Sequence, residues 1–112
     1  MRKGGAAYAI AALLAAAVIP AAAAPSAHAA RAYTIILNKM KFGAPPPDLH
    51  VGDTVLWVNR DLFRHSATAR ARGFDLDLPP GKTARLVLKT PGMIAFFCKF
   101  HPGMTGQLKV AR

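Results

Sequence analysis

Residues 93–110 read Met-Ile-Ala-Phe-Phe-Cys-Lys-Phe-His-Pro-Gly-Met-Thr-Gly-Gln-Leu-Lys-Val. Ile94, Phe96 and Cys98 stand two apart, as do Leu108 and Val110, and side chains at that spacing lie on one face of a strand. Lys99 to Gly103, with Pro102 and Gly103, reads as a tight loop between them. The stretch is therefore two strands whose connecting loop carries a thiol, an imidazole and, at its end, the thioether of Met104.

Working outward, short β-branched or aromatic runs alternate with Gly, Pro, Asn and Asp, and no amphipathic helical stretch of useful length occurs. The expected strands are Tyr33 to Leu37, Lys39 to Phe42, Asp48 to Val51, Thr54 to Asn59, His65 to Arg70, Thr83 to Lys89, Met93 to Cys98 and Gly106 to Val110. Gly52-Asp53, Pro79-Pro80-Gly81 and Pro91-Gly92 supply turns. Val55 with Trp57, and Leu86 with Leu88, extend the buried face. Such spacing indicates an all-β sandwich or barrel. Ala69 to Pro80, with Arg70, Arg72, Gly73 and two aspartates, reads as a surface excursion, although Phe74, Leu76 and Leu78 could tuck one edge inward.

The first residues differ in kind. Arg2 and Lys3 precede an uncharged, alanine-rich run from Ala6 to Ile19, and Ala27-His28-Ala29 forms a small-residue cleavage site. Residues 1–29 are the expected secretory signal peptide, cut after Ala29, because the apolar run falls short of the roughly 20 residues a membrane span needs. An uncleaved anchor is the alternative, but no basic stop-transfer flank follows. Residues 30–112 form the expected single domain, with no transmembrane segment. They hold thirteen Lys and Arg against five Asp, a net charge of +8.

Cys98 is the only cysteine, so no internal disulfide can staple this small core. An unpaired thiol exported to an oxidising compartment needs burial, an intermolecular partner or a metal. Cys98-x-x-His101-x-x-Met104 brings together soft sulfur and imidazole, which suits copper. Two histidines, one cysteine and a weak axial methionine make a type 1 site. His65, opening a strand after Trp57-Val58-Asn59-Arg60-Asp61, supplies the missing imidazole. The metal ligands are thus expected to be His65, Cys98, His101 and Met104, holding one copper per chain.

Each of these residues also has an ordinary role. His65 could be a loop histidine, Met104 a core methionine and Cys98 a small buried hydrophobe. A zinc site is a further alternative, although a thioether is a poor zinc donor. The combination in one exported β domain favours copper. His50, between Leu49 and Val51, should point away from the interior and is left out of the set.

Asn38-Lys39-Met40-Lys41-Phe42, Leu49 to Arg60, His65-Ser66, the Cys98 loop and Gly106 together resemble the amicyanin branch of the plastocyanin and azurin family, the cupredoxins. The resemblance covers nearly all of residues 30–112. It implies a cupredoxin Greek-key β-sandwich of about seven or eight short strands, a mononuclear blue-copper site with histidines bound through Nδ1, and a backbone hydrogen bond from Ser66 to the thiolate. It also implies one-electron shuttling in the periplasm between a donor such as a dehydrogenase and a cytochrome-like acceptor. Two departures stand out. Phe100 occupies the amicyanin proline position and restores an N–H, for which a second hydrogen bond to the Cys98 sulfur is expected. The stretch from His65 to Pro79 is shorter, so a methylamine dehydrogenase partnership does not carry over.

The remaining expectations concern role and partners. Arg60, Arg64, Arg70, Arg72 and Lys99 flank the ligand segments, so redox partners with acidic docking surfaces are expected. Export and the lack of a binding motif argue against nucleic acid. A monomer is expected. With four protein ligands no coordination position stays open for a substrate, so the chain is not expected to be an enzyme. The alternative is copper storage, delivery or resistance, against which stands the scarcity of methionines, with only Met40, Met93 and Met104 beyond the leader.

Overall fold

The computed structural model describes residues 4–5, 9–20 and 28–112. Part of the expected leader thus lies outside the described residues. Residues 9–20 carry no strand or helix and leave Leu13, Leu14 and Val18 exposed. No described helix is long and apolar enough to cross a membrane.

Among the described residues nine strands follow: β1 Ala32–Asn38, β2 Lys41–Phe42, β3 Leu49–His50, β4 Thr54–Asn59, β5 His65–Ala69, β6 Asp75–Leu78, β7 Thr83–Val87, β8 Gly92–Phe97 and β9 Thr105–Ala111. They form two sheets, ordered β2-β1-β4-β7 and β3-β9-β8-β5-β6. β1 runs parallel to β4 and β3 parallel to β9, while the remaining neighbours are antiparallel. This is the cupredoxin β-sandwich.

The faces expected from alternation are the buried ones. Val55, Trp57, Phe96, Cys98 and Leu108 are fully buried, and Leu88 and Val110 nearly so. Between the sheets Trp57 meets Phe96 edge to face at 5.0 Å between centroids, and Phe42 meets Phe96 at 4.8 Å. Aromatic pairs in this geometry add to the energy of area burial alone.

One segment departs from expectation. Asp75–Leu78 is a strand, pairing His65 with Leu78 and Thr68 with Asp75. The two-residue alternation prevails because Leu78 can be buried completely, while the intervening aspartates face cations. Asp75 meets Lys99 at 2.7 Å and Asp77 meets Arg64 at 2.9 Å. Arg64 and Lys99, two of the five cations flanking the ligand segments, thus have their charge met by β6.

Two tight turns lie at opposite ends of the sandwich, the first beside the end of β7 and the second beside the ligands. Gly52, between β3 and β4, has φ of 96°, which a residue with a Cβ rarely adopts. Lys39 and Met40, linking β1 to β2, have φ of 51° and 59°. Both central residues of a two-residue hairpin are positive in a type I′ turn, where Asn and Gly are usual. The Met40 N–H is held from outside the hairpin by Asp61, and the Lys39 N–H is shared between Asn38 Oδ1 and Asp61.

Candidate metal centre

His65 opens β5 and Cys98 follows β8, and the pairing of these two strands brings them together at one pole of the sandwich. Both are fully buried. The Cys98 sulfur lies 3.8 Å from His65 Nδ1, and the N–H of Ser66 donates to that sulfur at 3.4 Å. His65 Nε2 faces Oδ2 of Asp61 at 2.8 Å. With the Nε2 proton given to the carboxylate, Nδ1 presents its lone pair on the thiol side.

Asp61 also accepts the N–H of Met40 at 2.9 Å and of Lys39 at 3.2 Å. The His65 bond, then that from Met40, holds its carboxyl below the usual carboxylate range. Buried Asn59 keeps the connecting loop in place. Its side-chain amide donates to the carbonyls of Phe63 and Leu78, both at 2.7 Å, and its oxygen accepts the N–H of Asp61 at 2.8 Å.

The ligand loop is closed by its own backbone: Cys98 N–H donates to Met104 O at 3.1 Å, and Met104 N–H to His101 O at 2.8 Å. Met104 is buried in the core cluster that contains Cys98. His101 is half-buried, its ring 5.0 Å from that of His65 between centroids and 6.2 Å from that of Phe63. Across the loop, Lys99 N–H donates to Ser66 Oγ at 2.9 Å, and that hydroxyl pairs with Thr68.

The four expected ligands thus gather at one pole. Among the described residues, the group whose three ligand atoms all lie within 4.8 Å of one another is His28, His50 and Asp53. His101 approaches the His65 and Cys98 pair through its ring, 5.0 Å from that of His65. It alone of the four sits mid-loop, its ring between buried His65 and exposed Phe63. The expected Phe100 bond to sulfur is absent among the described hydrogen bonds. The neighbouring Lys99 N–H goes to Ser66 Oγ, and the Phe100 ring faces outward under the Arg64 guanidinium at 4.7 Å.

The donor chemistry still fits copper, since a buried thiol beside an imidazole lone pair, with imidazole and thioether from the adjoining loop, is a soft set. Asp61 and Asn59 escaped the sequence reading. An aspartate four residues before a candidate ligand was the available signal.

The second cluster has a different character. His28 and His50 stack at 3.7 Å, and Asp53 accepts from Arg31 N–H and His50 N–H, both at 2.8 Å. Asp53 is thus a turn brace. His28, inside the expected leader, would be removed with it.

A cupredoxin-like domain family matches residues 8–110. Among solved structures, the chain is similar to a proline-to-phenylalanine variant of amicyanin in its reduced state, at 31% identity over 70% of this chain and 81% of that one, TM-score 0.58. An oxidised methionine-to-leucine variant of amicyanin matches at 27% over 69% and 79%, TM-score 0.59. The copper-containing nitrite reductase of Thermus scotoductus SA-01 matches at 28% identity and TM-score 0.63. The match covers 70% of this chain and only 22% of that enzyme.

Proposed function

The chain belongs to the cupredoxin-like family, on its amicyanin-like side, and from that membership we propose that it is a periplasmic single-copper electron carrier. Residues 1–29 are its export signal and residues 30–112 its working domain. His65, Cys98, His101 and Met104 hold the metal. The observation that carries this reading is the pairing of the Cys98 sulfur with His65 Nδ1 at 3.8 Å, while Asp61 occupies Nε2.

Bound copper supplies one-electron exchange between Cu(I) and Cu(II). The residues supply rigidity. His65 is anchored through Asp61 to the β1–β2 turn, and Cys98 by the Ser66 N–H and by its own N–H to Met104. Ligands held this way change little between oxidation states, which keeps reorganisation small. The Ser66 hydrogen bond withdraws density from the sulfur and tunes the potential upward.

His101 is the outlet for the electron. It is half-buried beside exposed Phe63 and Phe100, with Leu62 nearby in the chain almost fully exposed. An apolar rim of this kind suits brief docking of a cytochrome or dehydrogenase over a small interface. The protein acts as a monomer and carries no catalysis of its own. Storage or delivery is less favoured, because three of the four donors are buried, and exchange needs accessible ligands.

The experiment is Cu(II) loading of the protein, read by visible absorption and electron paramagnetic resonance. An intense thiolate-to-copper band with narrow hyperfine splitting is expected. Cys98→Ser should abolish the band, Met104→Leu should retain colour with a shifted potential, and His50→Ala should match the parent. A colourless product, or uptake of zinc alone, overturns the reading.

A further inference from the structure

At the pole opposite His65 and Cys98, the sandwich is open. The strand directions place it there: β5 runs away from His65 and ends at Ala69, and β8 begins at Gly92 and runs toward Cys98. β6 covers the gap between sheets only over Asp75–Leu78. Beyond it, β7 and its continuation, the start of β8 and the turn of residues 70–74 border a cleft of about 780 Å³. That volume lies within the range of small-molecule sites, which are largely apolar with a few placed polar groups.

Its composition is two-sided. Phe74, Leu86 and Ile94, each partly buried against the core, give it apolar walls over the buried Leu88. Arg70, Arg72, Arg85 and Lys89 stand among the lining residues, and no carboxylate does. The chain has five acidic side chains, all aspartates, and each is placed elsewhere. Asp53 and Asp61 brace turns, Asp75 and Asp77 pair with Lys99 and Arg64, and Asp48 neighbours His50. Among the described residues the four cleft cations therefore have no internal counter-charge. Arg70 is also held in place, its guanidinium 4.6 Å over the Phe97 ring. Arg72 adopts φ of 78°, a conformation uncommon outside glycine and frequent at ligand clamps.

We propose that this cleft binds a monoanionic amphiphile, with an acyl chain along Phe74, Leu86 and Ile94 and its carboxylate among Arg70, Arg72, Arg85 and Lys89. Apolar contact supplies affinity, and the four uncompensated cations select the sign of the head group. The site is independent of the copper assignment, since no proposed ligand lines it.

The probe is dodecanoate, titrated into the intact chain below its micelle concentration by calorimetry and followed by amide chemical shifts. Saturable binding is expected, with the largest shifts between Leu86 and Ile94. Dodecyltrimethylammonium, the same chain with the opposite charge, should bind at least about tenfold more weakly. Arg72→Ser with Arg85→Ser should weaken dodecanoate about tenfold at an unchanged thermal midpoint, while Lys41→Ser with Lys109→Ser removes equal charge and should leave binding intact. Equal affinity for both chains, equal effects of the two double variants, or shifts confined elsewhere would overturn the assignment. So would association with phosphatidylglycerol vesicles without saturable dodecanoate binding, which would make this pole a membrane-facing surface.

Discussion

Asp61 Oδ2 lies 2.8 Å from Nε2 of His65, and the same carboxylate holds the N–H groups of Lys39 and Met40. One acidic side chain thus orients a candidate ligand and stabilises a hairpin turn whose two central residues are both in the left-handed region. In Asp61→Asn the amide accepts the Nε2 proton less strongly, so Nδ1 becomes a poorer donor. Copper affinity should fall about 10- to 100-fold, the usual cost of losing a partner behind a ligand. The potential should rise, because Cu(II) depends more on a basic imidazole. Competition titration and voltammetry check both, and an unchanged potential with unchanged affinity would sink the orienting role.

Gly106 sits opposite Phe96 in the β8–β9 register, with no room for a side chain. A Cβ there would lie 2.4 Å from the tip of the Phe96 ring, which is itself locked against Trp57 and Phe42. Gly106→Ala should therefore cost about 1–3 kcal/mol. Gly103→Ala, whose Cβ would meet nothing within 4 Å, is the matched control and should be nearly neutral. Denaturant unfolding distinguishes them.

Trp57 is fully buried, and its indole N–H has no partner among the described residues. Part of the gain from burying this ring is thereby offset by desolvation of the N–H. Trp57→Phe should cost only about 1 kcal/mol, well short of the roughly 3–5 kcal/mol for Trp57→Ala. Equal losses in the two variants would mean the N–H carries no penalty.

Acid should unfold the protein through its aspartates. Burial pushes the Asp53 carboxyl up, but the N–H groups of Arg31 and His50 and the ring of His28 together bring it below its usual value. Lys99 and then Thr68 hold Asp75 low, and Arg64 holds Asp77 low. A carboxyl depressed in the folded state contributes stability that is complete above its unfolded pKa and lost as pH falls through the folded one. The thermal midpoint should hold from neutrality to about pH 5 and then decline. Asp53→Asn should lower stability at neutral pH by about 1–3 kcal/mol, since two part-buried N–H groups lose the charged acceptor of a buried side chain, and should flatten the acid limb. An acid limb unchanged by that substitution would assign the decline to β6 instead.

The strands and their inward faces were legible because alternation is local: Val55 and Trp57, or Phe96 and Cys98, declare a shared face by spacing alone. The Cys98, His101 and Met104 grouping was legible for the same reason, since a short loop keeps sequence neighbours spatial neighbours. β6 was only half legible, because two aspartates mask the Phe74, Leu76 and Leu78 alternation until Arg64 and Lys99 are seen beside them. What sequence could not determine is every relationship between segments far apart in the chain. That Asp61 joins His65 to the Lys39 and Met40 turn, that no described Phe100 bond joins the expected Ser66 bond at the Cys98 sulfur, and that four cations surround an open apolar cleft depend on sheet order and register. Those are decided only when the two faces pack, since a hydrogen bond or an unpaired charge exists only between groups that the whole fold brings within a few ångströms.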